Sequence, residues 1–238
     1  MPQMPPDPSS ATAVRAPLHA LVIGASRGIG LALVQHYRAA GSRVTATARD
    51  DAGLVRLRDL GASAITLDVA NPGSAAGLAW QVDGAGFDCV IHNAGVYGPR
   101  LRAPDVPTRD DFEQVMRANV YGPMLVLPQL LDALAPQARI GLISSRMGSL
   151  GARSDAGGWL YRASKAAANS VLRDLAITLQ GKALCACLHP GWVRTDIGGP
   201  SAPITPVDSA RQLAATLARL TPAQHGGFFD LDGSPIPW

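Results

Sequence analysis

Short apolar runs alternate with longer amphipathic stretches along almost the whole chain. His19 to Ile23 is the first such run, and a helical period takes over from about Gly28 to Ala40. Arg43 to Ala48, Ala64 to Leu67, Phe87 to Ile91, Ile140 to Ile143, Leu184 to Leu188 and Gly227 to Leu231 read as further strands. Between them, helices are predicted over Asp51 to Leu60, Pro72 to Val82, Thr108 to about Leu134, Gly158 to about Leu179, and Ser209 to Leu220. Thr108 has the marks of an N-cap, with acidic residues in the turn that follows. Strand and helix in regular alternation predict an α/β fold, a doubly wound and mostly parallel sheet of about seven strands with helices on both faces. No repeat or internal linker interrupts the pattern, so residues 18–238 are expected to form one domain behind a leader of residues 1–17.

Composition narrows the class. A chain of 238 residues can bury one sizeable core, and 47% hydrophobic against 16% charged residues argues against disorder. The net charge of +3 is spread without a Lys/Arg block, so a nucleic-acid partner is not expected. No apolar run is long enough to span a bilayer, and Met1 to Pro17, rich in Pro, Ser and Ala, lacks the apolar segment of a secretory signal. A cytoplasmic location is the default expectation. Cys89, Cys185 and Cys187 sit inside apolar runs without metal-ligand spacing, which predicts buried, reduced thiols.

Chemistry is concentrated in Tyr161-Arg-Ala-Ser-Lys165. Residues four apart on a helix are neighbours, so an ammonium lies beside a phenol. Positive charge there would draw the phenol down from its usual pKa of about 10 towards neutrality. Such a tyrosine can exchange a proton with a carbonyl or alcohol oxygen. A second signal is Gly24-Ala-Ser26-Arg27-Gly28-Ile29-Gly30, which joins the first strand to the first helix. Glycines there let the backbone approach a pyrophosphate, whose charge the helix N-terminus favours. At the end of the second strand Ala48 is followed by Arg49, where an acidic residue would favour NAD and an arginine favours the 2′-phosphate of NADP. Arg27 and Arg49 together would clamp that phosphate. Asp50 and Asp51 keep NAD(H) open, and NADP(H) is the favoured reading.

Gly24 to Gly30, Asn93-Ala94-Gly95, Asn119, Ser145, Tyr161 and Lys165, in this order and spacing, resemble the single-domain short-chain dehydrogenases/reductases. The likeness runs from about Leu18 to the C-terminus. It is strongest to the branch of C-factor and the sniffer-type carbonyl reductases, through Ser144-Ser145-Arg-Met-Gly-Ser149, the run from Asp155 to Lys165, and the ending Asp232 to Trp238. The resemblance implies a Rossmann-type fold and an NADP(H)-dependent oxidoreductase. Tyr161 would be the proton donor and acceptor, Ser145 would orient the substrate oxygen, Lys165 would bind the nicotinamide ribose, and Asn119 would hold a relay water. Asp68 and Val69 match the adenine-contacting position. Asn93 to Gly95 and Pro190, Gly191, Val193 and Thr195 match further cofactor segments, the second passing the nicotinamide. Asn119 also has an argument of its own, because Pro123 has no N–H to give to its carbonyl.

Three features depart from the family pattern or leave alternatives open. The gap from Ser145 to Tyr161 is a few residues longer than the commonest spacing, which keeps Ser149 as the alternative serine. Ile23 replaces a threonine, and His92 an asparagine; His92 is expected to be a strand-end residue with a satisfied hydrogen bond. The Ile197 to Pro206 segment, with Tyr97, Trp159 and Trp192, would shape an open substrate site. The sequence leaves the carbonyl or alcohol substrate unnamed. It admits two other functions: a dinucleotide-binding signalling protein of the C-factor type, and an NAD-linked alcohol dehydrogenase. Val126, Leu127, Val171 and Leu175 exceed what one sheet-facing stripe requires, which predicts a homodimer.

Overall fold

The computed structural model describes residues 18–238, and the predicted leader lies outside the described residues. Seven strands form one sheet: β1 (His19–Ile23), β2 (Arg43–Ala48), β3 (Ser63–Thr66), β4 (Phe87–His92), β5 (Leu134–Ile143), β6 (Ala183–Leu188) and β7 (Gly227–Phe229). Their spatial order is β3-β2-β1-β4-β5-β6-β7, and every neighbouring pair is parallel. The order reverses direction between β1 and β4. That reversal opens a crevice at the strand C-termini, where ligands of such sheets sit.

Alternation along each strand supplies two cores, one per face. Leu21, Ile23, Val90, Ile140, Leu142, Cys185 and Cys187 face one side and pack with Val126, Ala168 and Leu172. Ala20, Val22, Ala46, Cys89, Ile91 and Leu188 face the other and pack with Leu33, Leu54, Leu213 and Leu217. The helices that cover the second face are α1 (Gly28–Ala39), α2 (Asp51–Asp59) and α8 (Pro206–Ala218). The first is covered by the short turns α3 (Pro72–Ala75) and α4 (Leu78–Gln81), by α5 (Arg109–Met116) with its continuation through α6 (Gly122–Val126), and by α7 (Trp159–Thr178). All three cysteines are free and buried. No helix among the described residues is long and apolar enough to cross a membrane.

Four predicted elements differ in detail. The helix expected over Pro72 to Val82 breaks where Gly77 adopts φ +79°. The helix from Thr108, capped as predicted by the Thr108 hydroxyl accepting from the Asp111 N–H at 3.1 Å, is not uniformly α. It widens to a π turn over Arg117–Tyr121 and tightens to a 3-10 helix over Leu127–Ala133. β5 begins at Leu134, six residues before the apolar run, because Pro136 and Gln137 (φ +62°) hide its start. α8 begins at Pro206, where the Thr205 hydroxyl accepts from the Asp208 N–H at 3.0 Å.

The residues invoked for a subunit contact are also placed differently. Val126 and Leu127 are 0% and 2% exposed, and Leu175 packs partly buried against the same core. Val171, on α7, is half-buried, whereas Val126 and Leu127 face the sheet on the helix that the π turn re-phases. The apolar residues left outward on this stretch are Phe112, Tyr121 and Met124.

Candidate active site

Gly24 leaves β1 with φ +79°, and a Cβ there would lie 2.7 Å from Ala94 Cα. The turn is tied on both sides. The Gly24 and Ala25 N–H groups donate to Thr47 Oγ1 and O at 3.0 and 2.8 Å, and Asn93 Nδ2 donates to the Gly24 carbonyl at 2.7 Å. Gly30 packs beneath the turn, where a Cβ would overlap the Gly24 carbonyl. Arg27, the N-cap of α1, is extended and gives no side-chain cap, so the first-turn amides have no capping side chain. A cleft of about 640 Å³ opens above them. Gly24, Ser26, Arg27, Gly28, Ile29, Arg49, Asp68, Val69, Asn93, Ala94, Gly95 and Thr195, all assigned to the cofactor from the sequence, line it. Gly30 shapes the turn without reaching the cleft.

A pyrophosphate fits this cradle: it offers glycine-lined backbone, a 12-residue helix with an uncapped N-terminus, and basic side chains. The two-arginine clamp takes a different form from the one expected. Arg27 Nε pairs with Asp196 Oδ2 at 3.1 Å across the cleft, whereas Arg49 has no carboxylate partner among the described residues. Asp50, the carboxylate that kept NAD(H) open, is the N-cap of α2 and accepts from the Gly53 N–H at 2.6 Å. The Asp68 carboxylate accepts from the Ala70 N–H at 3.0 Å in a local turn. Asp196 and Arg194, which also line the cleft, carried no motif signal.

A second pocket of about 540 Å³ adjoins the first and shares Ile29, Asn93, Gly95, Thr195 and Ile197 with it. Ser145, Tyr161 and Lys165 come together on its wall, with Pro190, Gly191 and Val193 opposite in sequence on the segment after β6. Ser145 follows β5 by two residues and begins a short turn over Arg146–Gly148. Gly148 lets that turn press onto α7: a Cβ there would be 2.9 Å from the Lys165 carbonyl carbon. The alternative serine is elsewhere. Ser149 is fully buried, and its hydroxyl donates to the Pro237 carbonyl and accepts from the Ala152 N–H.

Tyr161 and Lys165 lie on one face of α7, with Lys165 Nζ 5.8 Å from the tyrosine ring centroid. The expected lowering of the phenol is not what the surroundings produce. Burial pushes Tyr161 up, hydrogen bonding with Ser145 works against this, and the Tyr97 phenol adds to it. Burial likewise pushes Lys165 down to about 8, with Cys187 opposing. Desolvation disfavours both charged forms at once. The Lys165 ammonium instead donates to the Ile143 carbonyl at 2.9 Å.

Asn119 lies in the π turn, where the Gly122 N–H reaches the Arg117 carbonyl five residues back. The expected proline effect thus appears as a π-widened turn, a feature common at functional sites. The Asn119 side chain has a task the sequence did not disclose. It accepts from the Val96 N–H, donates to the Val96 carbonyl, both at 2.8 Å, and donates to Ser164 Oγ at 2.9 Å. It lines neither pocket but clips the loop after β4 to α7. That loop carries Tyr97, whose ring stacks on Tyr161 with centroids 4.5 Å apart.

His92 corrects another expectation. It is completely buried, and neither ring nitrogen has a hydrogen-bond partner. Burial, with the Lys165 charge assisting, pushes it down to about 3, so the imidazole is neutral. Its place at the end of β4 sets it beside Ile23 of β1 and Leu142 of β5, and no described residue hydrogen-bonds its ring.

Further pocket residues went unrecognised in the sequence. Arg162, in the fourfold spacing between Tyr161 and Lys165, is buried and donates to the Gly157 carbonyl at 2.8 Å and to Asp155 at 3.2 Å. Arg100, Arg146 and His189 line the pocket through contacts between distant segments, for which one chain offers no periodic signal.

Comparison with known proteins gives a consistent result. Residues 24–226 match the family described as Enoyl-(Acyl carrier protein) reductase. "C-signal" of Myxococcus xanthus is 39% identical over 154 residues, covering 63% of this chain and 92% of that protein. A short-chain dehydrogenase/reductase from Burkholderia multivorans, solved with bound NADP, superposes with a TM-score of 0.84 at 30% identity, covering 94% of this chain and 100% of that one. The carbonyl reductase Sniffer of D. melanogaster superposes with a TM-score of 0.83 at 29% identity, over the same shares.

Proposed function

The chain belongs to the short-chain dehydrogenase/reductase family, and from that premise we propose that it is an NADP(H)-dependent oxidoreductase interconverting a small-molecule carbonyl and its alcohol. The observation that carries this reading is the convergence of Ser145, Tyr161 and Lys165 where the glycine-lined cleft meets the second pocket. A nicotinamide bound across that junction supplies or accepts the hydride. Tyr161 gives its proton to the carbonyl oxygen as the alcohol forms, and takes it back in the reverse direction. Ser145 hydrogen-bonds the same oxygen and fixes its position. Lys165 holds the ribose side of the cofactor, and Asn119 steadies the loop that covers the tyrosine. The remaining cofactor contacts follow the cleft lining, with Pro190, Gly191, Val193 and Thr195 beside the nicotinamide.

Preference for NADP(H) is supported by the NADP in the Burkholderia multivorans neighbour, by Arg49 at the end of β2, and by the capping task that occupies Asp50. Turnover of a carbonyl panel with NADPH and NADH in parallel tests the reading. Tyr161→Phe is expected to keep cofactor binding while turnover falls at least about a hundredfold. Substantial residual turnover in that variant would remove Tyr161 from the mechanism, and a preference for NADH would favour the NAD-linked alternative.

The likeness to C-signal favours one further reading, a dinucleotide-bound signalling protein. A chain freed from catalysis has no chemical need to hold Ser145, Tyr161 and Lys165 together, and absence of turnover on the whole panel would reopen it. We also propose a homodimer formed through the outward Phe112, Tyr121 and Met124. Light scattering that reports a monomer at micromolar concentration would overturn this. A cytoplasmic location agrees with the free buried thiols, and cell fractionation tests it.

A further inference from the structure

The reaction pocket is lined by Arg100, Arg146, Arg162 and Lys165, and among the described residues it is lined by no aspartate or glutamate. Three of these cations are already engaged. Arg146 pairs with Asp230 and Arg162 with Asp155, while Lys165 donates to the Ile143 carbonyl and is assigned above to the cofactor ribose. Arg100 is different. It makes no ion pair with any described residue. It lines the reaction pocket and not the glycine-lined cleft, so the cofactor phosphates are not its natural counterion.

Arg100 is exposed at the pocket rim, and two contacts restrain it. Its Nη2 donates to the Ile197 carbonyl at 3.0 Å, on a segment 97 residues away. Its guanidinium carbon lies 4.9 Å from the centroid of Tyr97, the ring that stacks on Tyr161. Those contacts hold the guanidinium near the reacting phenol and leave Nε and Nη1 without a partner among the described residues. A planar donor fork, held in advance and lacking a counterion, matches a carboxylate. Pre-organisation lowers the entropic cost of using it. Trp192 and Met147 line the same pocket and offer apolar surface for the body of such a molecule.

We infer that the substrate is an anionic carbonyl compound, an oxo acid whose carboxylate is recognised by Arg100 while its carbonyl faces Tyr161. Arg100 is thus a specificity-determining residue. The inference rests on the carbonyl oxidoreductase reading. The reaction consumes NADPH and one proton and yields NADP+ and a hydroxy acid, with the carboxylate unchanged.

Two measurements separate the inference from the reading beneath it. The first is calorimetric binding of 4-methylbenzoate and of 4-methylbenzamide, neither reducible by hydride transfer, to wild type and R100Q in the presence of NADP+. The carboxylate is expected to bind wild type at least about tenfold more tightly than the amide, and R100Q to erase most of that preference. Equal affinities in wild type, or a preference that survives R100Q, would overturn the anion site. The second is turnover of 4-carboxybenzaldehyde against methyl 4-formylbenzoate. Their kcat/KM ratio should fall at least about tenfold in R100Q, with R100K intermediate because a point charge remains without the planar fork. An unchanged ratio with both rates lowered would reduce Arg100 to a brace for the Ile197 segment and overturn its role in specificity. If wild type reduced neither aldehyde while the binding preference held, the carbonyl reading would fall and the anion site would stand.

Discussion

The cofactor cleft is walled largely by backbone: the Gly24 to Gly30 turn, uncapped amides at the start of α1, and the Asn93 to Gly95 segment. The adjoining pocket is walled by long side chains, Tyr97, Arg100, Arg146, Tyr161, Arg162 and Lys165, most of them held by a partner on a distant segment. Lys165 reaches Ile143, Asn119 clips Val96, and Arg100 is tied to Ile197. A backbone wall needs side chains to be absent, so its integrity is a property of a few glycines. A side-chain wall needs many contacts to be present, and its chemistry follows from burial and charge. One is brittle at single positions, and the other is tunable.

The sharpest way to break that contrast is Gly30→Ala. The added Cβ would overlap the Gly24 carbonyl and sit 2.9 Å from Ala25 Cα, backbone that cannot yield, and 2.7 Å from the Asn93 side-chain amide. Overpacking of this kind costs more than about 3 kcal/mol, and binding of NADPH should be lost with it. Calorimetry of the variant showing native cofactor affinity and thermal stability would mean that the turn is not brittle.

The reaction pocket is sharpened by pH. Burial holds Lys165 at about 8 against its ordinary 10.5. Between these values the unfolded chain keeps a proton that the folded chain has released, so stability rises with pH across the window. The gain is complete above about 10.5 and is lost as pH falls through about 8. The difference in unfolding free energy between wild type and Lys165→Met should therefore climb by on the order of 3 kcal/mol from the lower to the upper value. Denaturant titrations giving a difference that stays flat would show that the ammonium is solvated.

The smallest effect concerns Arg49, the exposed side chain proposed above to favour NADP(H). Arg49→Ala should weaken NADPH by about 1.5–3 kcal/mol, the worth of a hydrogen bond to a charged group, and leave NADH close to its wild-type affinity. Equal losses for the two cofactors in fluorescence titrations would place the 2′-phosphate elsewhere.

How much of this was legible beforehand follows the same division. Leu21 and Ile23 alternate with Ala20 and Val22, and Cys185 and Cys187 with Ala186 and Leu188, so strand identity is written in a period of two. The glycine turn, the Thr108 cap and the Tyr161 to Lys165 spacing are equally local, and each lies where it was expected. Gly77 and Pro136, by contrast, changed elements whose apolar pattern looked continuous or absent. Val126 and Leu127, two of the four residues expected at a subunit contact, are buried for a related reason: a π turn precedes them, and no residue count along an assumed α-helix anticipates it.

The amino-acid sequence by itself determined the order of strands and helices, the glycine turn after β1, and the placing of Tyr161 and Lys165 on one helix face, because each depends on residues within one or two turns of each other. Only the tertiary structure decided that Ser145 faces the pocket while Ser149 is held by Pro237, that Asp50 is spent on a helix cap, and that, among the described residues, His92 has no hydrogen-bond partner and Arg100 no counterion. These are matters of which distant groups meet and how much water they lose on meeting. Coulomb interaction and desolvation depend on distance and burial in space, and neither quantity is encoded at a fixed separation along the chain.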